Sequence, residues 1–298
     1  MGTPEFAVAS LDALLANKYN VVAVVTAPDK PAGRGMEIQQ SAVKKFAVQN
    51  NIPVLQPDKL RDPQFLDSLK SYNSNIQVVV AFRMLPEVVW NMPAFGTINV
   101  HASLLPDYRG AAPINRAIMN GETVTGVTTF LLQQEIDTGN ILLQKEVKID
   151  KTDNAGTLHD KLKEEGAKLL IKTLEGTLLG TPQKHTNSHK HAPKIFPADC
   201  EIDWNKPAEN INNLIRGLSP YPTAFTKLEG KKLKIFSAEI SSGKSKTAGE
   251  ILTDGKTYFE ISCADKNLKI LNLQLEGKKR MPVEDFLRGY RFQKLSVG

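Results

Sequence analysis

Apolar positions change their period along this chain, and the changes mark out its elements. Phe6, Val8, Leu11, Leu14 and Leu15 recur at close to the helical period of about 3.6, which predicts a first helix. Thr3 is placed as its N-cap and Pro4 as its first helical residue, and Glu5 suits the first turn. Residues 21–26, VVAVVT, form a continuous β-branched run, as expected of a parallel strand buried on both faces. Short strands are predicted at 52–55 and 77–82, and another begins at Ile98. Helices are predicted at 41–49, 63–72, 85–90 and 113–120. Strands over 126–132 and 141–149, joined by a turn at 137–140, make a hairpin, and a long helix covers 155–179 with Leu158, Leu162, Leu169, Leu170 and Leu174 inward.

Helices alternating with buried strands imply an α/β, doubly wound layout. Such layouts open on a strand before the first Gly-containing turn, whereas this sequence opens at the turn, Met1-Gly2-Thr3-Pro4. The expectation is a sheet lacking its first strand, in a truncated or misannotated chain or with another segment covering the gap.

The pattern changes after residue 180. Residues 181–197 are rich in Pro, His and Lys and read as a linker. His185, His189 and His191 fall there with no structured ligand frame, so a solvated linker is preferred to a metal site. A helix at 208–218 precedes short strands at 224–228, 233–240, 249–253, 258–263 and 268–275, which suggests a small β-barrel. The expected division is a domain at 1–180, a linker at 181–197 and a second domain at 198–298.

Composition adds little until charge is located. The chain of 298 residues, with 41% hydrophobic and 23% charged residues, is ordinary for a globular protein. From Lys194 onward there are 18 Lys and Arg against 13 Asp and Glu, so that segment holds +5 of the net +6. An anionic partner for the last third fits that excess. Cys200 and Cys263 have no metal-like spacing, and no signal peptide or apolar run of about 20 residues is present. A cytoplasmic monomer is expected, with no membrane partner.

Candidate chemistry gathers at 98–110, INVHASLLPDYRG. Asn99 and His101 are two apart on a strand, so they share a face at its carboxyl end, where ligands collect in α/β sheets. An amide and an imidazole with a nearby carboxylate suit a tetrahedral intermediate, and Asp137, in the hairpin turn, is the best carboxylate. Taken alone, Asn-x-His at a strand end is more often structural. Ser103 suggests a hydrolase triad but lies outside any Gly-x-Ser-x-Gly elbow. The Gly- and Pro-rich loop at 28–40 carries Lys30 and Arg34; it lacks both the Walker lysine and a dinucleotide fingerprint.

The stretch 98–114, INVHASLLPDYRGAAPI, closely resembles the signature of folate-dependent formyltransferases, and Ile136-Asp137-Thr138-Gly139 resembles their second motif. MGTPEFA at the start, TAPDKPAGRG at 26–35 and LQPDKLR at 55–61 narrow the resemblance to the branch acting on initiator methionyl-tRNA, and it continues in the C-terminal region at Ser219-Pro220-Tyr221-Pro222. The resemblance implies a Rossmann-like catalytic domain followed by an OB-like barrel that helps hold tRNA. It implies 10-formyltetrahydrofolate as formyl donor, no metal, and catalysis by Asn99, His101 and Asp137. It further assigns Ser103, Leu104, Leu105 and Pro106 to the folate site, lined also by Phe82, Met84, Leu85 and Ile136, and assigns Lys30 and Arg34 to tRNA. The same chemistry on a small amine, hydrolysis of the formyl donor, and an inactive RNA-binding homologue are the alternatives.

Overall fold

A computed structural model describes residues 1–32, 37–183, 189–244 and 247–298. In chain order the first elements are α1 (Glu5–Ala16), β1 (Val24–Val25), β2 (Lys30–Ala32), β3 (Glu37–Gln39), α2 (Ala42–Gln49), β4 (Val54–Leu55), α3 (Pro63–Ser71) and β5 (Gln77–Val80). Next come α4 (Glu87–Trp90), β6 (Thr97–His101), β7 (Arg109–Gly110), α5 (Pro113–Met119), β8 (Val124–Leu131), β9 (Ile141–Lys148) and α6 (Ala155–Glu175). The remainder holds β10 (His191–Ala192), α7 (Ala208–Leu218), β11 (Ala224–Leu228), β12 (Lys231–Lys244), β13 (Ile251–Thr253), β14 (Phe259–Ser262), β15 (Lys266–Leu275), β16 (Met281–Pro282) and α8 (Val283–Gly289). The chain forms two compact units, Met1–Gly110 with Val124–Lys148 and His159–His191, and Ala111–Thr123 with Ile149–Leu158 and Ala192–Gly298.

The first unit is Rossmann-like. Its four-stranded sheet runs β5-β6-β8-β9, parallel between β5 and β6 and antiparallel beyond, while β1 and β4 pair in parallel separately. Local rules set its helix starts. The Ser41 hydroxyl accepts from the Lys44 amide at 3.0 Å, and the Asp62 carboxylate accepts from the Phe65 amide at 3.1 Å. At α1 the cap differs from expectation: Pro4 occupies the N-cap and no side chain caps the helix. Within residues 28–40, β2 pairs β3 antiparallel, with Lys30 opposite Gln39. Strands this short leave no period to read.

Between β1 and β5, among the described residues, only Met1 and Gly2 stand. The Gly2 amide donates to Val25 O at 3.0 Å, the Val80 amide to Met1 O at 2.9 Å, and Gly2 bridges Val80 in parallel. Beyond them lies a cavity of ≈ 810 Å³ lined by Leu14, Val22, Leu69, Val78 and Leu174. Within the run 21–26 the ladder is confined to Val24 and Val25, which pair Val54 and Leu55 of β4. Helix α6 stops at Glu175, short of the expected 179.

The second unit folds around one core. Its sheet is antiparallel throughout, in the order β11-β12-β15-β14-β13, with β16 on β15. Ile211, Ile215 and Leu218 on α7 are fully buried with Leu233, Phe259, Leu268 and Ile270 from the strands. Helix α8 escaped the sequence reading, since seven residues are too few to show a helical period.

Candidate active site

Strand β6 separates two environments. Ile98 and Val100 are buried, and Val100 faces α6, where a Cβ on Gly166 would lie 3.1 Å from Val100 Cγ1. Asn99 and His101 point to the other face, with Asn99 half-buried and His101 buried. The imidazole is held at one nitrogen and faces a carboxylate at the other. Nε2 lies 2.9 Å from the Tyr108 carbonyl oxygen, and Nδ1 lies 3.7 Å from Asp137 Oδ2. The sheltered His101 and Asp137 side chains keep only 8% and 12% of their exposure.

Asp137 is gripped from three sides. Its Oδ2 accepts the Gly110 amide at 3.0 Å, while its carbonyl accepts from Arg109 Nε at 3.0 Å and Gln183 Nε2 at 2.8 Å. Its φ of 55 is left-handed, a conformation Asp and Asn tolerate better than most residues. Gly139, two residues on, has no room for a side chain: a Cβ there would sit 1.6 Å from Leu131 O. The turn therefore closes tightly on β8, and its carboxylate is aimed at His101.

The loop after β6 is equally determined. The Ser103 hydroxyl donates to Asp107 O at 2.6 Å, so it is engaged with backbone. Thr128 donates to Ser103 O at 2.7 Å and accepts the Leu105 amide at 3.1 Å; Gln144 Nε2 donates to Leu105 O at 2.8 Å. Leu105 is buried, and Leu104 and Pro106 are half-buried. Of the other apolar candidates, Met84 is 71% and Ile136 57% exposed. Phe82 is half-buried, and Leu85 lies in a core cluster with Val79 and Val89. Lys30 is exposed on β2; Arg34 lies outside the described residues.

Four contributors were given no role from sequence: Tyr108 through its carbonyl, Arg109, Gly110 and Gln183. Arg109 and Gly110 close the INVHASLLPDYRG stretch, which was their only signal. Gln183 sits in a segment that reads as linker and carried none. Of the linker histidines, His185 lies outside the described residues, while His189 Nδ1 stands 3.6 Å from Asp107 Oδ1. Among the described residues no group of His, Cys, Asp and Glu could hold a metal ion, and no helix is long and apolar enough to cross a membrane.

Residues 1–174 match the model of the formyl transferase family, and residues 194–291 match that of its C-terminal domain. The chain belongs to the formyl transferase family. Among its relatives, "Methionyl-tRNA formyltransferase" of Azobacteroides pseudotrichonymphae is 55% identical, with 97% of this chain and 94% of the relative covered. The protein of the same name in Parabacteroides distasonis is 52% identical, over 98% of this chain and 94% of the relative. The fold is shared with an N-formyltransferase from Helicobacter canadensis, solved in complex with folinic acid and dTDP-3-aminofucose. That likeness has a TM-score of 0.67 at 22% identity and covers 90% of this chain and 96% of the other.

Proposed function

We propose that this chain transfers the formyl group of 10-formyltetrahydrofolate to the α-amino group of initiator methionyl-tRNA, in translation initiation. The observation that carries the acceptor is the similarity, 55% identical over 97% of this chain, to a protein named methionyl-tRNA formyltransferase. The His101–Asp137 pair at the end of β6 supports the chemistry.

Attack of the neutral amine on the formyl carbon places negative charge on the formyl oxygen. In our reading the Asn99 amide and His101 Nδ1–H donate to that oxyanion, with the Asp137 carboxylate 3.7 Å from Nδ1. Asp137 accepts the proton that the attacking nitrogen loses. Collapse of the intermediate breaks the bond to folate N10, which leaves with that proton, so charge and protons balance.

The remaining roles follow the motif match. Ser103, Leu104, Leu105 and Pro106 form the folate-binding loop, with Phe82, Met84, Leu85 and Ile136 toward the pterin. The exposure of Met84 and Ile136 suits residues that a flat aromatic ring would cover. Lys30 and Arg34 meet the tRNA backbone from one loop, and the basic segment after Lys194 meets it from the second unit. We further propose catalysis by 1–180, a linker at 181–197, tRNA binding by 198–298, and a monomer working in the cytoplasm, where the two free cysteines stay reduced.

One assay tests the function: formyl transfer from 10-formyltetrahydrofolate to methionyl-tRNA, small amines and water in parallel. Transfer to methionyl-tRNA in preference to the others is expected; its absence from a folded chain would overturn the reading.

A further inference from the structure

Gln183 is 5% exposed and uses both ends of its carboxamide. Its Oε1 accepts from Arg109 Nη2 at 2.5 Å and from Arg109 Nε at 3.2 Å. Its Nε2 donates to the carbonyls of Asp137 and Gly139, each at 2.8 Å. These two carbonyls belong to a turn outside the β8–β9 ladder, so a side chain must satisfy them or they stay buried at a cost. Arg109, oriented by Gln183, donates in turn to the Asp137 carbonyl, and the next residue, Gly110, holds the Asp137 carboxylate. One side chain thus ties the strand before α5 to the turn that presents the carboxylate.

We propose that Gln183 is a positioning residue for this reaction: it sets the Asp137 turn so that the carboxylate stands opposite His101 Nδ1, without touching substrate. The inference rests on the catalytic role proposed for Asp137. The chemistry singles out a carboxamide of this length. Asn is one methylene too short for the span. An ionised Glu keeps the contact with Arg109 but turns an oxygen toward two carbonyl oxygens. Leu fills the space and makes neither set of bonds.

The test uses the full chain with Gln183→Leu and Gln183→Glu, assayed well below their melting temperatures. Both variants should lose on the order of tenfold or more in kcat with KM for either substrate little changed, since a misplaced carboxylate weakens the chemical step and not binding. Protonating the Glu restores an O–H donor beside a carbonyl acceptor, so the kcat of Gln183→Glu relative to the unaltered chain should rise as pH falls. A purely structural residue gives no such rise. Hydrogen exchange at the Gly110 amide, which donates to Asp137, should quicken in both variants and needs no turnover to be measured. Unchanged kcat, a flat activity ratio or unchanged Gly110 protection would overturn the inference. If the unaltered chain transfers no formyl group, the functional reading fails by itself, and Gly110 exchange alone decides whether Gln183 sets the turn.

Discussion

His101 Nε2 lies 2.9 Å from the backbone carbonyl oxygen of Tyr108, a partner that only accepts hydrogen bonds. That nitrogen must therefore carry a proton, which leaves Nδ1, facing Asp137 at 3.7 Å, as the working nitrogen. His101→Ala is expected to lower turnover on the order of a hundredfold or more. The more specific expectation compares two amides. Asn places its amide nitrogen where Nδ1 lies, and Gln reaches the position of Nε2. His101→Asn should keep more formyl transfer than His101→Gln; the reverse order would move the chemistry to Nε2.

Removing the Asp137 charge without disturbing the turn is feasible, because Asn shares the residue's tolerance of left-handed backbone and φ is 55 here. The Gly110 amide can still donate to the Asn carbonyl oxygen. Asp137→Asn should therefore fold with near-unchanged melting temperature and tRNA affinity while kcat falls on the order of a hundredfold or more. Asp137→Ala should lose as much activity and some stability too, since Ala at positive φ is strained. A kcat within a few-fold of the unaltered chain for Asp137→Asn would remove the carboxylate from the mechanism.

Gly139 separates space from charge. A Cβ there would stand 1.6 Å from Leu131 O, backbone that cannot swing aside. Gly139→Ala must push the turn off β8 and carry Asp137 with it. The expected outcome is a loss of roughly 1–3 kcal/mol in chemical denaturation, as for other overpacked sites, together with a fall in kcat. Wild-type stability would show that the turn can move freely.

Much of the first unit was legible because its signals are periodic. Alternation at Ile98, Asn99, Val100 and His101 assigned two faces, and both faces are as read. Asp137 was legible through a Gly-containing turn between two strands. What escaped has no side-chain pattern: Tyr108 acts through a carbonyl, and Gln183 acts from a segment whose composition reads as linker. Arg34, on the loop matched to tRNA, falls outside the described residues. In the second unit the short strands were legible, but their pairing order, with β15 between β12 and β14, was not, since register depends on contacts far apart in sequence.

The basic excess of the C-terminal segment predicts how tRNA binding responds to salt. Phosphate neutralisation releases counterions, so the logarithm of affinity should fall linearly with the logarithm of salt concentration. Lys232 lies 3.7 Å from the centre of the Phe225 ring, and the Arg280 guanidinium lies 4.3 Å from that of Phe236. Replacing Lys278 and Lys279 by Ala should weaken binding and flatten the salt slope by about one or two contacts, leaving the melting temperature unchanged. An unaltered slope would place those lysines away from the nucleic acid.

The Met1 amine, bonded beside β5, bears on stability. The amine is buried, donates to Val78 O at 2.5 Å, and burial lowers its pKa from 8.0 to about 5. Because the folded value lies below the unfolded one, the unfolded chain takes up a proton first as pH falls. The contribution to stability is whole above pH 8.0, is lost as pH falls toward about 5, and changes no further below that. Extending the chain before Met1 removes the amine. A Val- and Ile-rich extension should also fill the ≈ 810 Å³ cavity and pair with β1 and β5, raising the melting temperature. A Gly- and Ser-rich extension of equal length should remove only the pH dependence. Thermal unfolding of the three chains between pH 5 and pH 8 distinguishes these terms. Equal melting temperatures for the two extensions would mean that the cavity does not accept a strand.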